Sequence, residues 1–160
     1  MKTYKVGILG AGSIAHAMAT TLERMEGAEP YAVASRSYDK ACGFAGQHNI
    51  ARAYGSYEEM LNDPEVDLVY VATPHSHHYL HAHMCIEHGK PVLCEKAFTA
   101  NLRQAEALLK FAHEKNVFIT EAIWTRYMPF TKIINAMVND GTIGRPMTLT
   151  AHLSYAIADK

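Results

Sequence analysis

The stretch that decides the fold is KVGILGAGSIA, residues 5–15. It continues a short apolar run, 4–9, which predicts a β-strand buried on both faces, as in a parallel sheet. Small residues then occupy the three fixed positions of a G-x-G-x-x-A pattern, Gly10, Gly12 and Ala15. In such a pattern the turn between a strand and a helix is suited to binding a dinucleotide.

A helix is predicted over residues 13–25, directly after the turn. Ile14, Met18, Leu22 and Met25 recur at helical spacing, so we expect them to form the inward face of this helix. The turn therefore lies between a strand and the positive, amino-terminal end of a helix, where phosphate groups bind most readily.

A small residue is needed at each of the three positions for a different physical reason. Gly10 permits a tight turn, Gly12 has no Cβ to keep a pyrophosphate from the backbone, and Ala15 lets the helix pack close to the strand. The alternative is an ordinary tight turn that binds no ligand. The predicted dinucleotide-binding residues of the turn are Gly10, Ala11, Gly12, Ser13 and Ile14.

Composition and charge give no support for several other function classes. The chain has 160 residues, a net charge of −1 and 19% charged residues, which favours neither nucleic acid nor an anionic membrane as a partner. No apolar run approaches the ~20 residues of a membrane helix. The three cysteines are widely spaced and form no C-x-x-C pair, which indicates reduced thiols. Since the first strand begins too early to leave room for a signal peptide, we expect a cytoplasmic protein.

Short apolar runs alternate with helical segments along the first three quarters of the chain. This alternation predicts an α/β fold with a doubly wound parallel sheet, that is, a Rossmann domain over residues 1–121. Further strands are predicted at 30–35, 51–54, 66–73, 91–94 and 117–120. Helices are predicted at 38–48, 57–62, 76–88 and 102–115, with Ser37, Ser56 and Asn101 as caps. Ligands of such a sheet bind at the carboxyl ends of its strands.

The end of the second strand bears on the choice of cofactor. An acidic residue there would bind the ribose 2′-hydroxyl of NAD, but this chain has Ser35 and Arg36. Because arginine offers a cationic, planar donor group to a 2′-phosphate, we predict NADP as the preferred cofactor, with NAD possible. The alternative is that Arg36 is an ordinary solvated side chain.

A histidine-rich segment follows the fourth predicted strand. Thr73 and Pro74 begin it at the carboxyl edge of the sheet, and five histidines lie between positions 75 and 83. His77 and His81 have a spacing that a metal could use on a helix. No acidic or cysteine ligand accompanies them within the segment, so we predict no metal site and interpret the histidines as surface or pocket-lining residues.

Glu95 and Lys96 follow the fifth predicted strand, again at the carboxyl edge. A cation close to a reacting hydroxyl stabilises the developing alkoxide and can relay its proton. The pair could equally be a solvated ion pair of little energetic weight. The residue pattern alone leaves these two interpretations about equal. Cys94 is interpreted as a buried strand residue rather than a reactive thiol.

The pattern changes after Glu121. A turn with the only tryptophan leads to a predicted helix, 130–139, and then to an alternating segment, 147–155, which predicts a half-buried strand of an open sheet. A lone strand of this kind needs partners. We therefore interpret 122–160 as the linker helix and first strand of a truncated C-terminal domain for substrate binding and oligomerisation.

Three segments together resemble a known family. They are Gly7–Gly12, Thr73-Pro74 with His78, and Gly89–Lys96, and in this order and spacing they resemble the N-terminal half of the Gfo/Idh/MocA oxidoreductases. The segment EAIWTRY, 121–127, further resembles the dihydrodiol dehydrogenase branch, which uses NADP and acts on cyclic diols and some sugars.

The resemblance implies a nicotinamide cofactor and a C-terminal open-faced sheet that forms oligomers. It implies that Lys96, with Glu95 beside it, lies at the reacting centre near the nicotinamide. It further implies that the following residues border the nicotinamide or line the same cleft: Thr73, Pro74, His78, Trp124 and Arg126.

The sequence departs from the family pattern in two ways. Ala97 replaces the proline that usually follows the Glu-Lys pair, and the family's second catalytic motif would lie beyond residue 160. We therefore expect the chain to be the cofactor-binding half of an enzyme of roughly double length.

The function predicted from the sequence is an NADP-preferring oxidoreductase. It would transfer a hydride between the nicotinamide and a secondary alcohol or carbonyl of a sugar, polyol or cyclic diol. This chain alone is expected to turn over little. The expected partners are a small-molecule substrate and further copies of the protein, with no nucleic acid and no membrane. The alternative is a non-catalytic dinucleotide-binding module or redox sensor.

Overall fold

The strands of the chain form a single parallel sheet. A computed structural model describes residues 2–152 and 154. Its strands are β1 Tyr4–Leu9, β2 Ala28–Ala34, β3 Arg52–Tyr54, β4 Leu68–Val71, β5 Val92–Cys94 and β6 Ile119–Glu121. The six strands found in this described part are ordered β3-β2-β1-β4-β5-β6, and every neighbouring pair is parallel. The doubly wound sheet predicted from the sequence is therefore confirmed.

Helices connect the strands and flank the sheet. They are α1 Ser13–Leu22, α2 Tyr38–Gln47, α3 Tyr57–Leu61, α4 His78–Glu87, α5 Leu102–Glu114, α6 Trp124–Tyr127 and α7 Pro129–Asn139. A 3-10 turn, His75–His77, precedes α4. All of the predicted helices are present with small changes in their bounds, and α6 was not predicted. None of the described helices is both long and apolar enough to cross a bilayer.

The hydrophobic core lies on both faces of the sheet. One cluster includes Leu9 and Val71 and packs with residues of α4 and α5. The other includes Ile8 and Tyr70 and packs with residues of α1 and α2. Because neighbouring residues of β1 and β4 belong to different clusters, these strands are buried on both sides, as the apolar runs predicted.

The inward face of α1 differs from the prediction. Ala15 and Ala19 are fully buried and Leu22 nearly so, whereas Ile14 and Met25 are 44% and 51% exposed. The helix also ends at Leu22, before Met25. Small residues allow the helix to approach the sheet closely, so the alanine face packs inward and the larger side chains lie beside the contact.

The inward face of α5 is narrower than predicted by the apolar spacing of Leu102, Ala105, Leu108, Leu109 and Ala112. Leu108 and Ala112 are buried, but Leu102 is 72% exposed and Leu109 is 49% exposed. Adjacent residues on a helix point about 100° apart, so Leu108 and Leu109 cannot both face the core.

The three predicted helix caps are confirmed by hydrogen bonds. Ser37 Oγ accepts from the Lys40 N–H at 3.4 Å, and Ser56 Oγ accepts from the Glu59 N–H at 3.2 Å. Asn101 Oδ1 accepts from the N–H of residue 104 at 3.0 Å. These bonds satisfy helix N–H groups that have no partner within the helix, and so fix where each helix begins.

The chain divides into two compact units between Ala122 and Ile123. The second unit contains α6 and α7. The strand predicted over 147–155 does not form over residues 147–152, where Met147 and Leu149 are 81% and 88% exposed. An isolated strand has no neighbour to accept its backbone hydrogen bonds, which accounts for this difference. Positions 153 and 155 of the predicted strand lie outside the described residues, and the predicted second domain stays a prediction.

Candidate active site

The carboxyl ends of four neighbouring strands are in register. Leu9 of β1 pairs with Ala34 of β2 and with Val71 of β4, and Val71 pairs with Cys94 of β5. The ladder extends one step beyond the strands, because Gly10, residue 72 and residue 95 each donate an N–H to the neighbouring strand at 2.9–3.0 Å. The segments that follow these strands therefore begin at one edge of the sheet, where the sequence predicted the site.

Gly10 is fixed by its surroundings. Its φ of +107° lies in the left-handed region, and a Cβ there would meet the Ala72 carbonyl oxygen at 2.9 Å. Its N–H donates to the Ala34 carbonyl at 2.9 Å. Only glycine satisfies both the conformation and the close approach, so the turn has the tightness that the motif predicted.

Gly12 differs from Gly10 because open space lies above it. It is the exposed N-cap residue of α1, with φ −95°, and a Cβ there would meet no atom within 4 Å. Ser13 and Ile14 are also exposed, while Ala15 is fully buried against the core. The backbone at the positive end of α1 is thus open to an anionic group, which fits the pyrophosphate of a dinucleotide.

Ser35 and Arg36 lie directly after β2. The Ser35 N–H donates to the Tyr54 carbonyl at 3.2 Å, and its Oγ accepts from the Ser37 N–H at 3.3 Å. Arg36 is exposed and lies near Tyr57 of α3. Burial raises the pKa of the Tyr57 hydroxyl, and Arg36 opposes that rise. An exposed guanidinium held at this edge is available to a phosphate group.

Thr73 begins the segment after β4 and is buried. Its Oγ1 lies 2.9 Å from Nδ1 of His81 in α4. Burial, followed by the nearby His77 and Arg36, lowers the pKa of His81 from 6.5 to about 4. His81 is therefore neutral at pH 7, and its ring holds the Thr73 side chain through the contact with Oγ1. Pro74, the next residue, is exposed and begins the 3-10 turn.

His78 is fully buried, and both of its ring nitrogens contact backbone oxygens. Nδ1 lies 2.7 Å from the carbonyl oxygen of Ala97, and Nε2 lies 2.8 Å from the carbonyl oxygen of Thr73. The imidazole therefore joins the segments after β4 and β5. Both nitrogens face the protein, and the expectation that His78 borders the nicotinamide stays a prediction.

Glu95 directs its carboxylate into the protein. Oε1 accepts from the Tyr70 hydroxyl at 2.6 Å, and Oε2 accepts from the Lys96 N–H at 3.1 Å. Burial and the contact with Glu95 raise the pKa of Tyr70, so this hydroxyl remains a donor. Both carboxylate oxygens are thus engaged within the protein, and one of them supports the backbone of Lys96. The catalytic role of Glu95 stays a prediction.

Lys96 is exposed at the carboxyl edge, while the loop that carries it is held by side chains. The Phe98 N–H donates to Glu121 Oε1 at 2.9 Å. The peptide bond from Lys96 to Ala97 is cis. Burial, followed by Glu121 and Glu95, raises the pKa of the neighbouring Cys94 to about 12, so its thiol is not a nucleophile at neutral pH. The lysine therefore presents the one cationic side chain of this short loop, residues 95–98.

The histidines of the 75–83 segment contact one another and the core. His77 stacks on His81 with ring centroids 5.5 Å apart, and His83 stacks on Phe111 at 4.2 Å. Among the described residues, no three His, Cys, Asp or Glu side chains are placed to hold a metal ion. Two of the five histidines, His78 and His81, are buried, which differs from the interpretation of these histidines as surface or pocket-lining residues.

Trp124 and Arg126 lie on α6, in the second compact unit. Trp124 is 49% exposed, and the Arg126 N–H donates to the Ile123 carbonyl at 3.0 Å within the same unit. Their predicted place in the cleft stays a prediction.

Several supporting residues were missed by the sequence reasoning. Tyr57 contacts Arg36, Tyr70 binds Glu95 and Glu121 binds the loop at Phe98. For Tyr70 and Glu121 the available signal was a polar group within or at the end of a buried strand, since such groups require partners.

Comparison with known proteins agrees with this arrangement. A family model described as "Oxidoreductase family, NAD-binding Rossmann fold", that of the Gfo/Idh/MocA proteins, matches residues 4–122. The chain is 39% identical over 155 residues to trans-1,2-dihydrobenzene-1,2-diol dehydrogenase of Xenopus tropicalis, covering 96% of this chain and 47% of that protein. It is 42% identical over 164 residues to D-xylose 1-dehydrogenase (NADP(+)) of Hypocrea jecorina, covering 95% of this chain and 42% of that protein.

Solved structures show the same fold. One is KijD10, a 3-ketoreductase from Actinomadura kijaniata in complex with TDP-benzene and NADP, with a TM-score of 0.80 at 30% identity, covering 89% of this chain and 45% of that chain. A probable dehydrogenase from Thermotoga maritima has a TM-score of 0.82 at 26% identity, covering 89% of this chain and 43% of that chain. This chain thus spans about half the length of the relatives that it matches. From its glycine turn to the end of its parallel sheet, the chain belongs to the Gfo/Idh/MocA family of oxidoreductases.

Proposed function

We propose that this chain is the cofactor-binding half of an NADP-preferring oxidoreductase. The reaction would be hydride transfer between the nicotinamide and a secondary alcohol or carbonyl of a sugar, polyol or cyclic diol. The observation that carries the proposal is the register of the strand ends, which brings the open glycine turn and the Lys96 loop to one edge of the sheet. The relatives named as diol and xylose dehydrogenases support the substrate class.

Different residues at this edge of the sheet would bind different parts of NADP. The open backbone of Gly12 and the amino terminus of α1 would hold the pyrophosphate, with Ala11, Ser13 and Ile14 around it. Thr73 and Pro74 would border the nicotinamide half. When bound, NADP supplies or accepts the hydride at its nicotinamide ring.

Lys96 would act on the substrate hydroxyl. A hydroxyl that loses a hydride from its carbon must also lose its proton, and the oxygen carries negative charge as it does so. In the oxidation direction a neutral Lys96 amine would accept that proton, and the resulting ammonium group would stabilise the charge on the oxygen. In the reduction direction the ammonium group would return the proton to the oxygen. Glu95 would contribute by holding the Lys96 backbone, because its carboxylate is already engaged by Tyr70 and the Lys96 N–H.

The preference for NADP rests on Arg36. Its exposed guanidinium follows β2, at the place where the adenosine ribose binds in a Rossmann fold. Two of the similar proteins carry NADP in their names or complexes, which supports the same assignment.

Substrate specificity and assembly would depend on residues outside the Rossmann unit. Trp124 and Arg126 would contribute to the substrate cleft, and residues 122–160 would belong to the domain that forms homo-oligomers. The three cysteines are free, two of them buried, which supports a reducing, cytoplasmic environment.

The test is a calorimetric titration of the chain with NADPH and with NADH at one salt concentration. We expect tighter binding of NADPH, and a loss of about 10- to 100-fold in NADPH affinity for Arg36→Ala, because a charge-assisted hydrogen bond contributes about 1.5–3 kcal/mol. NADH affinity should change little. Arg24→Ala is the matched control, because Arg24 is an exposed arginine beyond the far end of α1. Equal affinities for both nucleotides, unaffected by Arg36→Ala, would contradict the NADP preference, and no binding of either would contradict the function.

A further inference from the structure

His78 fastens the loop that presents Lys96. We propose that it is a positioning residue, whose Nδ1 holds the Ala97 carbonyl and thereby fixes the backbone on the C-terminal side of Lys96. The inference rests on the proposed function for the importance of Lys96, but the contact itself is independent of any cofactor.

The buried position of the His78 ring allows it to hold the loop. His78 is 0% exposed and lies at the start of α4, between the end of β4 and the loop after β5. The oxygens of Ala97 and Thr73, 2.7 and 2.8 Å from its nitrogens, can only accept hydrogen bonds. A proton on Nδ1 would therefore be donated to the Ala97 carbonyl, which connects α4 to the loop after β5.

The other backbone groups of the loop are also held by buried or partly buried side chains. The Lys96 N–H donates to Glu95, whose carboxylate is fixed by Tyr70 of β4. The Phe98 N–H donates to Glu121 of β6. With His78 on the carbonyl between them, the backbone is held before, at and after Ala97 by the side chains of Glu95, His78 and Glu121.

The consequence concerns the lysine side chain. A group that must meet a reacting oxygen within a few tenths of an ångström requires a rigid support, and loops obtain rigidity from such contacts. The exposed Lys96 side chain has no rigid helix or strand of its own. Release of the Ala97 carbonyl would let the loop move while the sheet beneath it stays folded.

Two substitutions separate this role from simple filling of the core. The amide nitrogen of asparagine takes about the position of Nδ1, and that of glutamine about the position of Nε2. His78→Asn therefore retains a donor toward Ala97, and His78→Gln retains one toward Thr73. A residue that only fills space would tolerate the larger glutamine at least as well as the smaller asparagine, which is the opposite order.

The experiment is amide hydrogen exchange of the whole chain without nucleotide, read at the Lys96 and Phe98 N–H groups. Relative to global stability, we expect a five- to tenfold loss of protection at both amides in His78→Gln and less than a twofold loss in His78→Asn. His88→Asn is the control, because this histidine bonds the Met84 carbonyl at the other end of α4. Equal losses in the Asn and Gln variants, or no loss in either, would overturn the proposal.

A measurement on the unsubstituted chain covers the case in which the variants do not fold. The Nδ1 proton of His78 should be visible by nitrogen-15 NMR and coupled across a hydrogen bond to the Ala97 carbonyl. Absence of a proton on Nδ1 would overturn the proposal. None of these readouts involves NADPH, so failure of nucleotide binding and failure of the loop contact are distinguishable.

Discussion

Gly10 and Gly12 are two residues apart but differ in whether the fold would accept a side chain. At Gly10, φ is +107° and a Cβ would lie 2.9 Å from the Ala72 carbonyl oxygen. At Gly12, φ is −95° and the Cβ position is open. Gly10 is therefore required by the fold, whereas Gly12 is required only if something else occupies the space above it.

Alanine substitutions at these glycines should separate folding from binding. Gly10→Ala is expected to lower the free energy of unfolding by about 2–3 kcal/mol, through a disfavoured backbone conformation and a backbone clash. Gly12→Ala should cost less than about 1 kcal/mol but reduce NADPH affinity at least tenfold, because its methyl group would meet the pyrophosphate. Urea denaturation and calorimetry measure the two effects. Unchanged NADPH affinity in Gly12→Ala would show that the cofactor does not approach this residue.

His81 should make stability depend on pH. The pKa of His81 is about 4 in the folded chain and 6.5 in the unfolded chain. As the pH falls, the unfolded chain therefore takes up the proton first. The stability it contributes is complete above about pH 6.5 and is lost as the pH falls towards 4. The shift corresponds to a loss of about 3 kcal/mol over that interval.

The control for this pH effect is His81→Asn, which cannot titrate but can keep the contact with Thr73 Oγ1. Urea unfolding of both chains at pH 7, 5.5 and 4.5 gives the difference that His81 contributes. If the two chains lose stability in parallel, then another group is responsible.

Which site residues could be predicted depended on distance along the chain. Gly10, Gly12 and Lys96 could be assigned because short motifs and strand order place them at one edge. The inward direction of the Glu95 carboxylate could not be predicted, because it depends on the Tyr70 hydroxyl, 25 positions away. The buried position of His78 depends in the same way on the Ala97 carbonyl, 19 positions away.

For α1, the sequence predicted the helix correctly but its inward face incorrectly. Hydrophobic spacing selects large apolar residues such as Ile14 and Met25, which are about half exposed in the structure. The contact with the sheet is instead made by Ala15 and Ala19, both fully buried. The glycine motif predicted this close packing for Ala15. Alanine contributes little to a hydrophobic pattern, so the same role of Ala19 was not recognised from the sequence.

Leucine substitutions on two faces of α1 test this packing. Ala19→Leu should lower the free energy of unfolding by about 1–3 kcal/mol, because extra atoms do not fit between helix and sheet. Ala17→Leu is the matched control: it lies in the same helix but is exposed, so we expect a change within about 0.5 kcal/mol. Urea denaturation measures both. Equal effects at the two positions would argue against a tight contact on the Ala19 face.

At the scale of the whole molecule, the buried core that the described residues form lies within the Rossmann unit. Both core clusters consist of residues from this unit, between Val6 and Ala122. The edge strand β6 belongs to it as well, because the Ala122 N–H donates to the Cys94 carbonyl at 2.7 Å. A domain with its own two-sided core is expected to fold without the residues that follow.

A chain shortened to residues 1–122 should therefore unfold cooperatively in urea, with a midpoint close to that of the whole chain, and bind NADPH with similar affinity. The matched control ends at Asn116, which removes β6, the Glu121 contact with Phe98 and the edge pairing of β5. That shorter chain is expected to lose several kcal/mol or fail to fold, because β5 becomes an unprotected edge. A loss of cooperativity in the 1–122 chain would contradict the predicted boundary and assign part of 123–160 to the Rossmann domain. Retained folding with lost NADPH affinity would instead mean that residues beyond 122 contact the cofactor, as the resemblance implied for Trp124 and Arg126.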